Sequence, residues 1–554
     1  MTVSVNQIVA SPYGNVTAVT NPVTGGSELR AGGEAIYTDD LEASATTIFD
    51  SASVGGNIIY VSQVATNGYA IGSDSNNGLS KQTAKLTVAG AIAIAKAGDT
   101  IVLNDGTYTE AYFRFLIALN VQSETDYGAK LVSTASTIVG IGNAPVTLGK
   151  IIIDTNNYST TSCIYGFGSD TKTLLTLDGT HLIAHAQYCV NFNASLIVKG
   201  DVTVTHTGAG KSIWKCSPNA GHTVRFENAP SIGAPLYVIA GGLGTALTLY
   251  RSKFRYFDST TGTNYAAFVT GVADVHVEGC ELGVDGNLGP AGINIEPVAN
   301  FPVNSVVIKD NVIRHEGYTS LAQSGGGYGI KVGSESFITD NIGAVTITGN
   351  KMVHVNHGAF LGYGITQPGL VRGNVVIDGV IPFLSKGNMS ASKFYANVAL
   401  GGSWSGGALR SKTSNPIFKN NLCVANSLLS ASLGKFQHAS DASVNAVFQN
   451  NILYAPSIAI PIAASMDIGS TASFSNNNYH AGSFNTGAFV NGASTYNTVS
   501  AWAAAVESTA TAVDPGYTLG NWSLPSESSI LTSGLPASED FFGTPRSSNS
   551  LGPF

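Results

Sequence analysis

His315, His354 and Asp378 each stand four residues after an asparagine, at Asn311, Asn350 and Asn374. Arg314 and Glu316 flank the first histidine. If these stretches lie on neighbouring parallel strands, groups on adjacent strands are about 5 Å apart and on alternate strands about 10 Å apart. An inverting glycosidase needs two carboxyls roughly 6.5–9.5 Å apart, and a retaining one about 5–5.5 Å. Glu316 and Asp378 would sit two strands apart, nearer the inverting spacing, as acid and base with His315 and His354 beside them. Glu296, Asp258 and Asp285 are further carboxylates on earlier stretches. The plainer alternative for each is a solvated polar residue at a turn. Sugar rings would stack on Tyr318 and Tyr328, which lie in the glycine-rich insertion EGYTSLAQSGGGYG. Lys331, Tyr363, Trp404, Arg410 and His438 complete the candidate substrate contacts.

The element that would bring such distant residues together is a repeat. VHVEGC, VVIKDN, VTITGN, LVRGN, SKFYAN, PIFKNN, AVFQNN and ASFSNN end at positions 280, 311, 350, 374, 397, 421, 451 and 477. LTLYRS at 247–252 fits one step earlier, and LIVKGD and LLTLDG are weaker copies. A period of 20–50 residues signals a solenoid or propeller. These steps are shorter than the roughly 40–45 residues of a propeller blade, and no leucine-rich frame is present. Alternating apolar runs read as strands. Three short strands and three turns per step give a right-handed parallel β-helix, all-β, of roughly a dozen coils. Residues at one place in successive coils stack about 4.8 Å apart, so Asn311, Asn350, Asn374, Asn397, Asn421, Asn451 and Asn477 are expected to form a hydrogen-bonded ladder. Asparagine also tolerates the left-handed backbone of a sharp turn.

Composition fits this reading. Of 554 residues, 44% are hydrophobic and only 11% charged. The polar surface must then come from Asn, Ser, Thr and Gly. A net charge of −8 with no basic run argues against nucleic acid or anionic lipid as a partner. No apolar run approaches the length of a membrane span. The five cysteines form no CxxC pair and read as buried thiols. Neither a metal site nor a cofactor motif is indicated; GGLG and SGGGYG lack a βαβ context. The opening MTVSVNQIVASPYGNV lacks the basic and apolar regions of a secretory signal.

The stretch KLTVAGAIAIAKAGDTIVLNDGTY predicts a capping helix over 86–97, ended by Gly98, followed by a strand. With YVSQVATNGYAIGSDSNNG before it, it resembles the N-terminal cap of right-handed β-helix polysaccharide lyases and phage tailspikes. DPGY…SLPSESSILTSG…DFFGTPRSSNSLGPF resembles the closing segment of bacterial β-helix glycan enzymes. The resemblance implies an N-terminal anchor or leader at 1–57, a β-helix at 58–480 and a closing segment at 481–554. It implies a bacteriophage tailspike in the virion tail that binds a bacterial surface polysaccharide, capsule or O-antigen, and hydrolyses it. Such proteins are homotrimers, joined to other virion tail proteins through the N-terminal segment. A second resemblance lies in LRSKTSNPIFKNN, which looks like the Ser-Lys-Ser/Thr strand of the chondroitinase-B and alginate-lyase family. It implies an extracellular lyase with Lys412 as the base. Gln437-His438 stand where that family has Arg-His, and Ser405 and Gly407 replace its acidic calcium ligands. A glycan-binding adhesin without catalysis is the third reading.

Overall fold

The computed structural model describes Val16–Thr20, Ser27–Ala31, Glu34–Tyr37 and most of residues 56–514. Undescribed within that span are short stretches, among them 207–212, 230–235, 258–264, 286–290, 316–326, 335–340, 402–407, 425–431 and 437–444. The chain divides into two units, Met1–Asn57 and Ile58–Phe554. In the first, Val16–Thr20, Ser27–Ala31 and Glu34–Tyr37 pair antiparallel. The second is a parallel β-solenoid with three sheets. Sheet I has 16 strands, from Ile58–Val61 to Ala472–Ser475. Sheet II is split into blocks of 5 and 9 strands. Sheet III has 16 strands, from Phe113–Phe115 to Ser494–Tyr496. Successive coils pair parallel, as the repeat predicts, while the last strand of sheet III, Ser494–Tyr496, turns back antiparallel and three parallel pairs carry a register shift.

Alternation divides every strand into an inward and an outward set. The inward column of sheet I runs Val277, Ile308, Ile347, Val371, Phe394, Phe418, Phe448 and Phe474. Its aromatic end is a stack: Phe394 and Phe418 rings lie 4.7 Å apart, and Phe474 meets Trp502 at 5.1 Å. Each large buried ring contributes about 1.5–3 kcal/mol by leaving water.

The corner between sheets I and II repeats one backbone event. Lys150, Gly179, Gly200, Asn228, Arg251, Gly279, Asp310, Gly349, Gly373, Ala396, Asn420, Asn450 and Asn476 all have positive φ. The ladder asparagine is the next residue. The left-handed turn expected at Asn311 to Asn477 therefore sits one position earlier, and the asparagines themselves turn inward as buried side chains. The Asn311 amide donates to Asn350 Oδ1 at 2.8 Å, and the relay continues through Asn374, Asn397, Asn421 and Asn451 to Asn477. Each Nδ2 also donates to a backbone carbonyl, as Asn421 does to Phe394 at 2.9 Å. Earlier coils fill the same place with Cys280, Ser252, Ala229 and Thr180, all buried.

Short helices close both ends. The first spans Val88–Ile94, shorter than predicted, with Ala95 as its C-cap; Gly98 lies beyond it at φ 92°. Thr87 caps its N-terminus, and Glu110 accepts from Val88 and Ala89 N–H at 2.7 and 3.0 Å. The second, Val499–Ala505, was not foreseen; its Trp502 is fully buried. Beyond it, Glu507 ends the ladder. Its carboxylate accepts from Asn477 Nδ2 at 2.9 Å, Asn477 N at 2.8 Å, Tyr479 OH at 2.9 Å and Trp502 Nε1 at 3.1 Å. Burial pushes its pKa up, against those hydrogen bonds.

Two substitutions test this corner. Asn421→Leu strands the Asn397 amide and the Phe394 carbonyl inside the coil and should lower stability by about 3 kcal/mol, read as a fall in the urea midpoint. An unchanged midpoint would disprove the ladder. Ala396 holds φ 52°, which costs a residue with a Cβ about 1 kcal/mol, so Ala396→Gly should raise the midpoint; a fall would show that the conformation carries no strain.

Candidate functional site

Sheet III gathers most of the candidate substrate contacts on its outer face. Glu296 ends the strand Ala291–Glu296, and Lys331 lies on the next strand, Tyr328–Val332, opposite Asn294. Glu296 Oε1 accepts from Lys331 Nζ at 3.1 Å and from Asn294 Nδ2 at 3.0 Å. Lys331 is only 7% exposed, so its charge is held by this pairing and not by water. Its ammonium also lies 5.5 Å from the centre of the Tyr328 ring. Tyr328 stacks on His357 at 4.5 Å and packs with Phe360, Ile381 and Leu384 in a cluster on the outer side of the sheet. Tyr328 and Phe360 are buried, at 7% and 1% exposed, so these coils hold a covered aromatic cluster beside the ion pair.

Two coils further on, the same face becomes cationic. Lys386 on Ile381–Ser390 lies in register with Lys412 on Leu409–Ser414, about 4.8 Å away across the ladder. Arg410 sits two residues before Lys412, opposite Leu384. The alternation that turns these lysines outward turns hydroxyls inward. Ser385, Ser411 and Thr413 are buried and bond one another at 3.2 Å. Ser-Lys-Thr is therefore a buried hydroxyl net carrying an outward lysine. The Lys386 ammonium lies 5.6 Å from the Tyr363 ring centre. Gly387, at φ 115°, leaves room for that ring, since a Cβ there would stand 3.0 Å from it.

The histidines fall elsewhere. His315 ends the sheet II strand Val312–His315, and continuing the register places His354 and Asp378 beside it on the next two coils. His354 Nε2 is 3.5 Å from Asp378 Oδ2. Both have positive φ, 58° and 54°, and form a second left-handed corner, between sheets II and III. Short polar residues suit such a corner on backbone grounds alone. His315 is 6% exposed; burial, then nearby His354, hold its imidazole below the usual pKa, which favours the neutral ring.

The fold thus brings Glu296, Tyr328, Lys331, Arg410 and Lys412 onto sheet III, with Tyr363 two residues past the strand His357–Leu361. It sets His315, His354 and Asp378 apart, at the corner that leads into it. Glu316, Tyr318, Trp404 and His438 lie outside the described residues, and so does the spacing between Glu316 and Asp378. Asp258 lies outside them too. Asn294, His357 and Lys386 were missed. The signal for Lys386 was present: Ser385-Lys386 in FLSKGN echoes Ser411-Lys412 one coil earlier. Among the described residues no group of three His, Cys, Asp or Glu is placed to hold a metal ion. All five cysteines are buried, and burial pushes the Cys216 thiol up to about 12.

No family model matches the sequence, and no curated protein is similar to it. Among solved structures, a pectate lyase shares 16% identity over 91% of this chain and 97% of its own, with a TM-score of 0.30. A PL6 family alginate lyase shares 14% over 74% of this chain, with a TM-score of 0.33; this chain spans 52% of it. A rhamnogalacturonan lyase shares 13% over 72% of this chain and 87% of its own, at 0.27. Likeness at this level carries no weight for the reaction, and the fold stands on the strand order itself.

Proposed function

We propose that this chain binds a bacterial surface polysaccharide along sheet III and cleaves it there. One observation supports the reading above others: an ion pair, two stacked aromatic residues and three further cations share one flat face over five successive coils. A β-helix face offers the regular spacing that an extended polymer needs. Lys386, Arg410 and Lys412 favour a chain that carries carboxylates. This also favours elimination over hydrolysis. An α-proton next to a carboxylate becomes acidic when the carboxylate charge is neutralised, a task for Lys386 and Arg410. Lys412 then takes that proton. The C–H electron pair forms the new C=C bond, the glycosidic C–O bond breaks, and the leaving oxygen takes a proton. Hydrolysis, with Asp378 beside His354 as a supporting carboxylate pair with Glu316, is the second reading. The role we assign is that of a tailspike, in which the separate unit Met1–Asn57 joins the β-helix to other tail proteins and three chains associate.

Incubation with an acidic capsule polysaccharide tests the reaction. Elimination gives ultraviolet absorbance from the new C=C bond. Lys412→Ala should lower its rate about 10²–10⁴-fold, while Asp378→Asn leaves it near that of the parent. New reducing ends without that absorbance, lost with Asp378→Asn and kept with Lys412→Ala, would replace elimination by hydrolysis. Bound but uncut polymer would leave recognition alone.

A further inference from the structure

The outward positions of sheet III line up from the early coils into the candidate site. Tyr165, Asn191, Lys215, Tyr237 and Phe268 are cross-strand neighbours in that order, on the strands Ser162–Gly166, Tyr188–Phe192, Ile213–Cys216, Leu236–Ile239 and Tyr265–Thr270. The same row continues to Asn294 and then to Lys331. At about 4.8 Å per strand, it runs about 19 Å from Tyr165 to Phe268 before it reaches them. The Phe268 ring lies 5.7 Å from that of Tyr237 and stacks on Tyr265 at 5.4 Å. The Lys215 ammonium stands 5.3 Å from the centre of the Tyr188 ring.

These rings, unlike Tyr328 and Phe360, are open to water in part. Tyr165 is 38% exposed, and Tyr237, Tyr265 and Phe268 are half-buried. The core does not need them there, since the inward neighbours Ile164, Val190, Trp214, Leu236 and Ala267 fill the coil beneath. Among the described residues beyond the N-terminal cap, the exposed large apolar side chains are Leu116, Tyr165, Ile239, Leu243 and Val513. The first four lie on sheet III or within four residues of its strands. Apolar surface gathered in water on one face marks that face for a partner.

We infer that this row holds the non-reacting length of the polysaccharide, a chain of carboxylate-bearing sugars laid across the strands towards the cleaving coils. The inference rests on sheet III being the polymer face. A pyranose ring offers a flat patch of C–H groups with hydroxyls at its rim. Tyr165, Tyr237 and Phe268 take the flat patches. The Asn191 amide has both donors and an acceptor for rim hydroxyls, and Lys215 brings a charge for a carboxylate. A polymer that spans the row and the cleaving coils is cut at internal bonds, and its held segment stays on the coil after the cut.

Affinity electrophoresis of the full chain through gels containing polygalacturonate, with dextran gels as the mobility reference, tests this. The chain carries Lys412→Ala, so the polymer is not cut during the run. Adding Tyr165→Ala with Tyr237→Ala should raise the apparent Kd about tenfold, as loss of apolar ring contact does, and Tyr165→Phe with Tyr237→Phe should not. Polygalacturonate should also slow nitration of Tyr165 by tetranitromethane, read by peptide mass spectrometry. These side chains point outward, so the melting temperature should stay with the parent. Lys386→Ala with Arg410→Ala separates the row from the cleaving face. A Kd raised by that pair but not by the tyrosine pair, with Tyr165 nitrated equally fast with and without polymer, overturns the row and leaves the cleaving face standing. A Kd raised by the tyrosine pair alone keeps the row and removes the cleaving-face assignment. Equal losses with the alanine and phenylalanine pairs overturn the stacking role of the rings. No retardation of the Lys412→Ala chain overturns the row as a site for this class of polymer, while the absorbance assay with capsule polysaccharide still decides cleavage by itself.

Discussion

The solenoid depends on a buried polar corner. A coil of parallel strands must reverse direction at the same place in each turn, and the backbone groups there are shut away from water. Here a left-handed residue makes the bend and the next side chain supplies the missing partners. From Asn311 to Asn477 every amide serves the coil below and the coil above, with a net gain of about 1 kcal/mol per bond and a larger cost for any bond left unmade. A ladder cannot end on an open amide, and Glu507 closes it with a carboxylate that accepts four hydrogen bonds.

This internal arrangement frees the outside. Inward positions are committed to packing and inward hydroxyls to one another, so outward positions carry the few charges the chain has. They are not spread evenly. Sheet III holds the Glu296–Lys331 pair, a buried aromatic cluster and the Lys386–Lys412 step. The later strands of sheet I carry Arg372, Lys393 and Lys419 at outward positions. A flat parallel sheet converts sequence repeats into rows about 4.8 Å apart, and rows suit a polymer better than a single small ligand.

Much of the architecture was legible because the ladder is local in sequence. Each asparagine sits at the end of a six-residue echo, so the strands of sheet I, the corner and the start of sheet II could be aligned without coordinates. His315, His354 and Asp378 fall in one register column for the same reason: all three lie four residues past the ladder. The corner was read one residue late, since asparagine is common both at the left-handed position, as at Asn420, and at the ladder position, as at Asn421. The closing helix went unread because Val499–Ala505 is only two turns long and lies outside the repeat.

Sheet III could not be reached in this way. Its strands begin at varying distances from the ladder: Tyr328 is 328 − 311 = 17 residues past Asn311, whereas His357 is 357 − 350 = 7 past Asn350. An alignment anchored on asparagines loses register across connections of unequal length. Hence the sequence named Glu296, Lys331, Arg410 and Lys412 one by one but did not show that they share a face, nor that Lys386 stands beside Lys412. Alternating apolar runs and a repeated buried amide were enough, as text, to specify the coil, because both act between neighbours in the chain or one coil apart. Which outward residues meet is set by cross-strand register, a property of the assembled sheets.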